Sequence, residues 1–386
     1  MVHTALDSFD KRVLPFLDGK NTSVVCHSSS IDSHYNHIID ILHHHPSVNL
    51  KSVFGPQHGL FGQTQDNMIE WEGYTHPEYR VPVYSLYGKH RRPTNDMLED
   101  TGVLIIDLQD VGCRPYTYAW TMKNCMAACA DLNISVLVID RPNPLGGIKR
   151  DGNVLKKPYY TFVGGAEIPL CHGMTIGEIA EWINDREEIN CDLEVLRMDG
   201  WQRTMTWNDT GLPWVLPSPN MPSVSTAFVY PGMVMVEALN ISEGRGTTLP
   251  FELCGAPFLK IDDIIKELEK PGMPGCAFRK HNFIPTFHKF SGEYCEGMQI
   301  HVTDFKNFEP VFTAASIFNI IYRMGDLSFN DPPYEYEEDL LPFDILSGDS
   351  RLSEAIKSGH GISEVKEIWQ SEILSFEKEF EAYKLY

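Results

Sequence analysis

Two runs of the chain constrain its fold more than any other feature. Val103-Leu104-Ile105-Ile106-Asp107-Leu108 and Val136-Leu137-Val138-Ile139-Asp140 are apolar at nearly every position. A strand with one wet face alternates apolar and polar residues. These two do not, so they read as strands buried on both faces, as in a parallel sheet covered by helices. Residues 23–26, 50–54, 81–86 and 193–197 read as further strands. Residues 31–45 carry apolar side chains at helical spacing, residues 118–132 are helical, and Thr175 with Glu178 forms a capping box for a helix running to about 187. Strand, helix and strand at this spacing imply right-handed crossovers and an α/β fold.

The chain has 386 residues, which exceeds one compact core and predicts two domains. Prolines at 213, 217, 219 and 222 mark a crossing. Beyond it, a helix at 261–268 and a strand at 298–302 mix less regularly, as in an α+β domain. The predicted division is 1–217 for the parallel-sheet domain and 218–386 for a smaller auxiliary domain. A net charge of -21 disfavours nucleic acid and anionic membrane as partners. No run approaches the ~18 apolar residues of a membrane helix. The amino terminus lacks a signal peptide's apolar stretch, so a cytoplasmic location is expected. The nine scattered cysteines read as reduced thiols, with Cys125 and Cys129 packed on one helix. His43-His44-His45 reads as surface. No cluster has metal-ligand spacing, and neither metal nor cofactor is expected.

In an open α/β sheet, ligands bind outside the carboxyl ends of the strands. Three such ends are polar here: Phe54-Gly-Pro-Gln-His-Gly59, Gln109-Asp-Val-Gly-Cys-Arg-Pro-Tyr-Thr-Tyr118 and Asp140-Arg-Pro-Asn-Pro144. They predict one cleft lined by Gln57, His58, Asp110, Arg114, Arg141 and Asn143. Turn chemistry explains the glycines and prolines but not His58, Asp110, Arg114, Asp140 and Arg141. No GxGxxG follows the first strand, where Cys26-His27-Ser28-Ser29-Ser30 stands, so NAD is disfavoured. Gly244-Arg-Gly-Thr-Thr248 lacks the P-loop lysine. Asp110 reads either as an acid whose pKa desolvation raises, or as a turn aspartate. His58 and His172, each before a glycine, are ligand contacts or satisfied loop histidines. Glu243 and Arg245 either close the cleft or pair with each other. The acidic run 335–339 reads as a solvated face.

Taken together, these motifs carry a resemblance. Phe54–Gly59, Pro82-Val-Tyr-Ser-Leu-Tyr-Gly88, Asp107–Gly112 with Arg114 and Tyr116-Thr-Tyr118, and Asp140–Pro144 are joined by four later segments. These are His172-Gly-Met-Thr-Ile-Gly-Glu178, Ser218-Pro-Asn-Met-Pro222, Ser242-Glu-Gly-Arg-Gly-Thr247 and Pro250-Phe-Glu252. In that order they resemble the NamZ-type exo-β-N-acetylmuramidases, a glycoside hydrolase family long catalogued as a domain of unknown function. The match runs from the amino terminus to about residue 259, with a weaker echo to the Lys384-Leu-Tyr386 end. It implies a Rossmann-like domain with an auxiliary domain, a site in the cleft between them, and release of N-acetylmuramic acid from the non-reducing end of peptidoglycan fragments. The substrate would be a small muropeptide or amino sugar. Expected contacts on the matching motifs are Gln57, His58, Arg114, Tyr118, Asp140, Arg141, Asn143, His172, Asn220, Arg245 and Thr247. Arg114 and Arg141 would pair with the lactyl carboxylate, or internally with Asp107, Asp110 or Asp140.

One position departs from the family pattern. The family usually reads Pro-Glu-His-Gly, with that Glu as the proposed catalytic carboxylate; here it is Gln57. An amide exchanges no proton near neutrality, while glycoside hydrolysis usually needs two carboxyl groups. Three readings follow. Asp66, Glu70 or Glu72 replaces the lost acid; Asp110 or Glu243 carries the chemistry; or the chain is a non-catalytic sugar-binding or sensor protein.

Overall fold

The computed structural model describes residues 1–66, 68–359 and 361–386. Its strands, in chain order, are β1 (Asn21–Cys26), β2 (Asn49–Gly55), β3 (Tyr74–Thr75), β4 (Pro82–Ser85), β5 (Val103–Asp107) and β6 (Ser135–Ile139). Then follow β7 (Asp151–Val154), β8 (Pro169–Cys171), β9 (Leu193–Leu196), β10 (Leu253–Ala256), β11 (Cys276–Lys280) and β12 (Glu296–Val302). Seven of them form one sheet in the order β3-β4-β2-β1-β5-β6-β9. All neighbours are parallel except β3, an antiparallel edge on β4. Every residue of β5 is buried, and all but the first of β6, as their unbroken apolar runs require.

The chain leaves β1 toward β2 and β4, then returns to β1's other side to lay down β5, β6 and β9. The topological switch therefore lies between β1 and β5, where such sheets usually open a ligand crevice. Here protein fills it. The proline-rich crossing lies over the end of β1: Ser29 and Ser28 hydroxyls donate to the carbonyls of Val215 and Leu216, each at 2.7 Å. The Tyr118 hydroxyl donates to Pro217 O at 2.6 Å, and the His27 ring spans from Pro217 O to the Gln109 N–H.

The expected helix at 31–45 is shorter, Ile38–His44. Asp32 Oδ1 accepts the N–H groups of His34 and Asn36, both at 2.8 Å, so its side chain outcompetes the helix for those donors.

In the second part, β10, β12 and β11 form an antiparallel sheet. The helix Val224–Met233 packs on the helix Pro310–Arg323. Their approach needs Gly232, because a Cβ there would stand 2.1 Å from the Pro310 carbonyl oxygen. The helix Ser363–Phe380 returns to cover β7, which pairs with β8. One apolar core runs from Val25 and Ile106 through Met122 to Val311, Phe318 and Trp369, welding both parts together. Among the described residues, no helix is long and apolar enough to cross a membrane.

Candidate active site

With the switch point filled, the polar cleft lies one strand over, beyond the end of β2. Gln57, His58, Tyr116, Tyr118, Ser218, Asn220, Tyr230, Glu237, Arg245, Tyr334 and Glu335 line it. Gln57 is held by the Thr117 hydroxyl, which donates to its Oε1 at 2.8 Å. His58 sits in the left-handed region, φ 72°, with Nδ1 2.8 Å from Thr64 O. That contact makes Nδ1 the protonated nitrogen and leaves Nε2 an acceptor. Burial, helped by nearby Arg245, pushes the ring down to about 4 against the bond to Thr64 O, so His58 is neutral.

Two buried carboxylates line the cleft, and neither was singled out from the sequence. Glu237 lies in the 3-10 turn Val234–Ala238. It accepts from Arg245 Nη2 at 2.5 Å and the Tyr334 hydroxyl at 2.7 Å. Behind Arg245 stands Glu243, fully buried, within 3.3 Å of Arg245 Nε, His288 Nε2 and Lys289 Nζ. Burial alone would raise Glu243, but Lys289, Arg245 and His288 outweigh it and hold the carboxyl below its usual range. Glu243 is thus a fixed anion that anchors Arg245.

Glu335 occupies the tip of a tight turn. Tyr334 and Glu337 exchange backbone hydrogen bonds of 3.0 and 2.9 Å, and the residues between them, Glu335 and Tyr336, have φ of 46° and 68°. Such turns favour Asn and Gly. Glu and Tyr there cost on the order of 1 kcal/mol each, a strain that tends to persist where side chains serve a site. The Tyr87 hydroxyl donates to both Glu335 oxygens, at 3.0 and 3.1 Å. Burial, with help from neighbouring Glu237, pushes Glu335 up to about 7 against the bonds from Tyr87.

The sequence-derived site is only partly assembled. Gln57, His58, Tyr118, Asn220 and Arg245 meet at the cleft. Asn220 also grips the altered loop, donating to Gln65 O at 2.7 Å. The others are placed elsewhere. Asp110 binds the Gly112 N–H at 2.5 Å and the His172 ring at 3.2 Å, a turn aspartate with its histidine partner. Arg114 donates to the carbonyls of Asn153, Ile168, Leu346 and Ser347 at 2.7–3.1 Å. Arg141 pairs with Asp107 through both its Nε and Nη2. Asp140 accepts from Arg141 N, Gly177 N, Thr175 Oγ1 and the Tyr386 hydroxyl at 2.8–2.9 Å. Asn143 ties Met174 O to Leu145 N, both at 2.9 Å, and Thr247 closes its own turn on Gly244 O at 2.6 Å. In each case the chain supplies the partner that a substrate was expected to supply.

The altered loop does not put an acid into the cleft. Asp66 pairs with His288 at 3.2 Å, Glu72 is exposed, and Glu70 accepts from the Tyr336 hydroxyl at 2.6 Å outside it. The acidic run at 335–339, read as solvated, begins with a residue only 5% exposed. Two signals could have flagged the missed acids. Glu237 is a lone charge in Val234-Met-Val-Glu-Ala238, and Glu335 stands between tyrosines just after two prolines. Among the described residues, no three His, Cys, Asp or Glu side chains gather as a metal site.

A parallel sheet joined to an α+β unit over a cleft with two buried carboxylates is an arrangement suited to acid–base chemistry on a small polar substrate. The comparisons with known proteins specify the class. The family model described as exo-beta-N-acetylmuramidase NamZ, N-terminal, matches residues 22–225, and its C-terminal counterpart matches 228–386. The chain belongs to this NamZ family of exo-β-N-acetylmuramidases. It is 40% identical over 390 aligned residues to the peptidoglycan beta-N-acetylmuramidase NamZ of Bacillus subtilis (strain 168), covering 100% of this chain and 91% of that protein. Crystal structures of two DUF1343 family proteins from Bacteroides fragilis NCTC 9343 share the fold. One has TM-score 0.88 and 32% identity, the other 0.78 and 27%, and each alignment spans 100% of this chain and 99% of that one.

Proposed function

We propose that this glycoside hydrolase releases N-acetylmuramic acid from the non-reducing end of peptidoglycan fragments, with Glu335 and Glu237 as its working carboxyl groups. The observation that carries this reading is the pair of buried acids on the walls of one cleft with Gln57 and His58. Their environments differ, as the two roles require. Glu335, lifted to about 7, holds a proton that it gives to the glycosidic oxygen as the bond to the anomeric carbon breaks. Glu237, paired with Arg245, faces the positive charge that develops on the sugar. Water then adds its oxygen to the anomeric carbon and gives a proton to the Glu335 carboxylate, which restores the acid. Gln57 then donates to the substrate rather than exchanging a proton.

The free space in the cleft is about 30 Å³, room for little more than one water. A sugar therefore enters as the walls part, and the segments around Gln57 and Glu335 are turns rather than regular elements. In this reading, residues 1–217 provide the platform and residues 218–386 bring both acids to it. Cytoplasmic action on fragments from wall recycling belongs to the same reading. The nine free thiols, eight of them buried, suit a reducing compartment.

The test is turnover of a chromogenic β-muramide. Wild-type protein is expected to release muramic acid, and Gln57→Glu to change kcat by no more than a few fold, because the proton is carried elsewhere. Activity that appears only in Gln57→Glu would instead make the natural chain a sugar-binding protein.

A further inference from the structure

Beyond Glu335 lies a second space that the cleft chemistry does not use. It is a groove of about 650 Å³, more open to solvent than the cleft, with Glu335 on the wall between them. Tyr160, Phe162 and Tyr336 line it, and Lys89, Arg91 and Lys123 stand around it. We propose that this groove binds the part of the substrate beyond the scissile bond, a carboxylate-bearing amino-sugar chain, and that Lys89 meets its charge. The proposal rests on the functional reading above, and it names which end of the substrate goes where.

Geometry assigns the ends. An enzyme that removes a terminal sugar needs a closed pocket for that sugar and an open path for the rest. The cleft is closed and the groove is open, and the acid that protonates the leaving oxygen stands between the two. The size also fits, because ligand sites typically run to about 300–1,000 Å³ with mostly apolar walls and a few polar groups.

Charge assigns the ligand. Two of the three cations are already engaged. Arg91 stacks 4.0 Å from the Tyr87 ring centroid and lies 3.4 Å from Glu70, and Lys123 lies 3.0 Å from Glu187. Lys89 is exposed and forms no ion pair among the described residues. Two carboxyl groups share the lining, Glu335 and Glu70, and Glu70 is taken up by Arg91 and the Tyr336 hydroxyl, so Lys89 is the cation left to meet an incoming anion. Glycan fragments freed of their peptides carry a lactyl carboxylate on every muramic acid, so such a fragment extending from the cleft brings that group into the groove.

The experiment compares the aryl β-muramide, which has no sugar beyond the scissile bond, with a tetrasaccharide fragment that begins with muramic acid. Lys89→Glu is expected to lower the ratio of kcat/KM for fragment over aryl muramide by about five- to tenfold, mostly through KM. An unchanged ratio, or equal losses on both substrates, overturns the proposal. Binding gives an independent readout. By calorimetry, a disaccharide of N-acetylglucosamine and N-acetylmuramic acid should bind about five- to tenfold more weakly to Lys89→Glu, while neutral di-N-acetylglucosamine should bind both proteins alike. Equal binding of the charged disaccharide to both proteins overturns the groove assignment even if neither substrate is turned over. Turnover of the aryl muramide by wild type, without a Lys89 effect on the fragment, overturns the groove alone and leaves the reading of the cleft intact.

Discussion

Glu335→Gln is expected to lower kcat on a chromogenic β-muramide by ~10²–10⁴-fold, the usual contribution of a positioned acid or base. The amide keeps the shape of the side chain and one acceptor oxygen for the Tyr87 hydroxyl but has no proton to give. A second readout separates a lost acid from a disturbed site. Because burial lifts Glu335 to about 7, wild-type activity should fall as pH rises through that value. The residual activity of the variant should lack this limb. Stability moves the same way. The folded-state pKa lies above the unfolded value near 4.5, so the folded protein holds this proton more tightly. The resulting stabilisation is complete below about 4.5 and is lost as pH rises to about 7, a difference of about 3 kcal/mol. At pH 8 the uncharged variant should therefore be at least as stable as wild type. A variant that keeps wild-type kcat and its alkaline limb would remove Glu335 from the chemistry, and Glu237→Gln would become the decisive assay.

Arg114→Ala is expected to cost about 3–5 kcal/mol of folding stability and to lower the melting temperature by roughly 10 °C. The guanidinium is 1% exposed and joins four carbonyl oxygens from distant parts of the chain, at residues 153, 168, 346 and 347. Truncation would take a donor from each of these buried carbonyls, Ile168 O keeping the Leu155 N–H at 3.1 Å, and each carbonyl left unsatisfied costs about 1–3 kcal/mol before relaxation. Gly348 shows how closely this cage fits. At φ 107° it passes so near that a Cβ would stand 2.6 Å from Arg114 Nη2. Denaturant unfolding and calorimetric scanning would measure the loss. The alternative, an arginine reading the lactyl carboxylate, predicts weaker binding of muramic acid ligands at nearly unchanged stability, and that result would overturn this placement.

Much of the architecture was legible from residue pattern. The unbroken apolar runs at 103–108 and 136–139 can be satisfied only by burial on both faces, and they became β5 and β6 at the heart of the sheet. The Thr175–Glu178 capping box formed as written, because its bonds join residues three apart. The ordered motifs led to the family for the same reason: they are local strings. In the sequence Arg114 and Arg141 stand open to substrate or internal pairing, Asp110 to an acid's role or a turn's, and His172 to a ligand or a loop, because a polar side chain at a strand's carboxyl end has no partner within its own string. Their partners come from far along the chain or across the sheet, as Asp107 does for Arg141 and residues 346 and 347 do for Arg114. The acids of the cleft were hidden by the converse effect. Glu335 looks like part of a solvated run until residue 87 folds against it and the turn closes. The sequence by itself determined the strands, their burial and the family, since periodicity and motif are properties of neighbours. Only tertiary structure decided which charges are free to act, since desolvation and pairing depend on groups brought from hundreds of residues away.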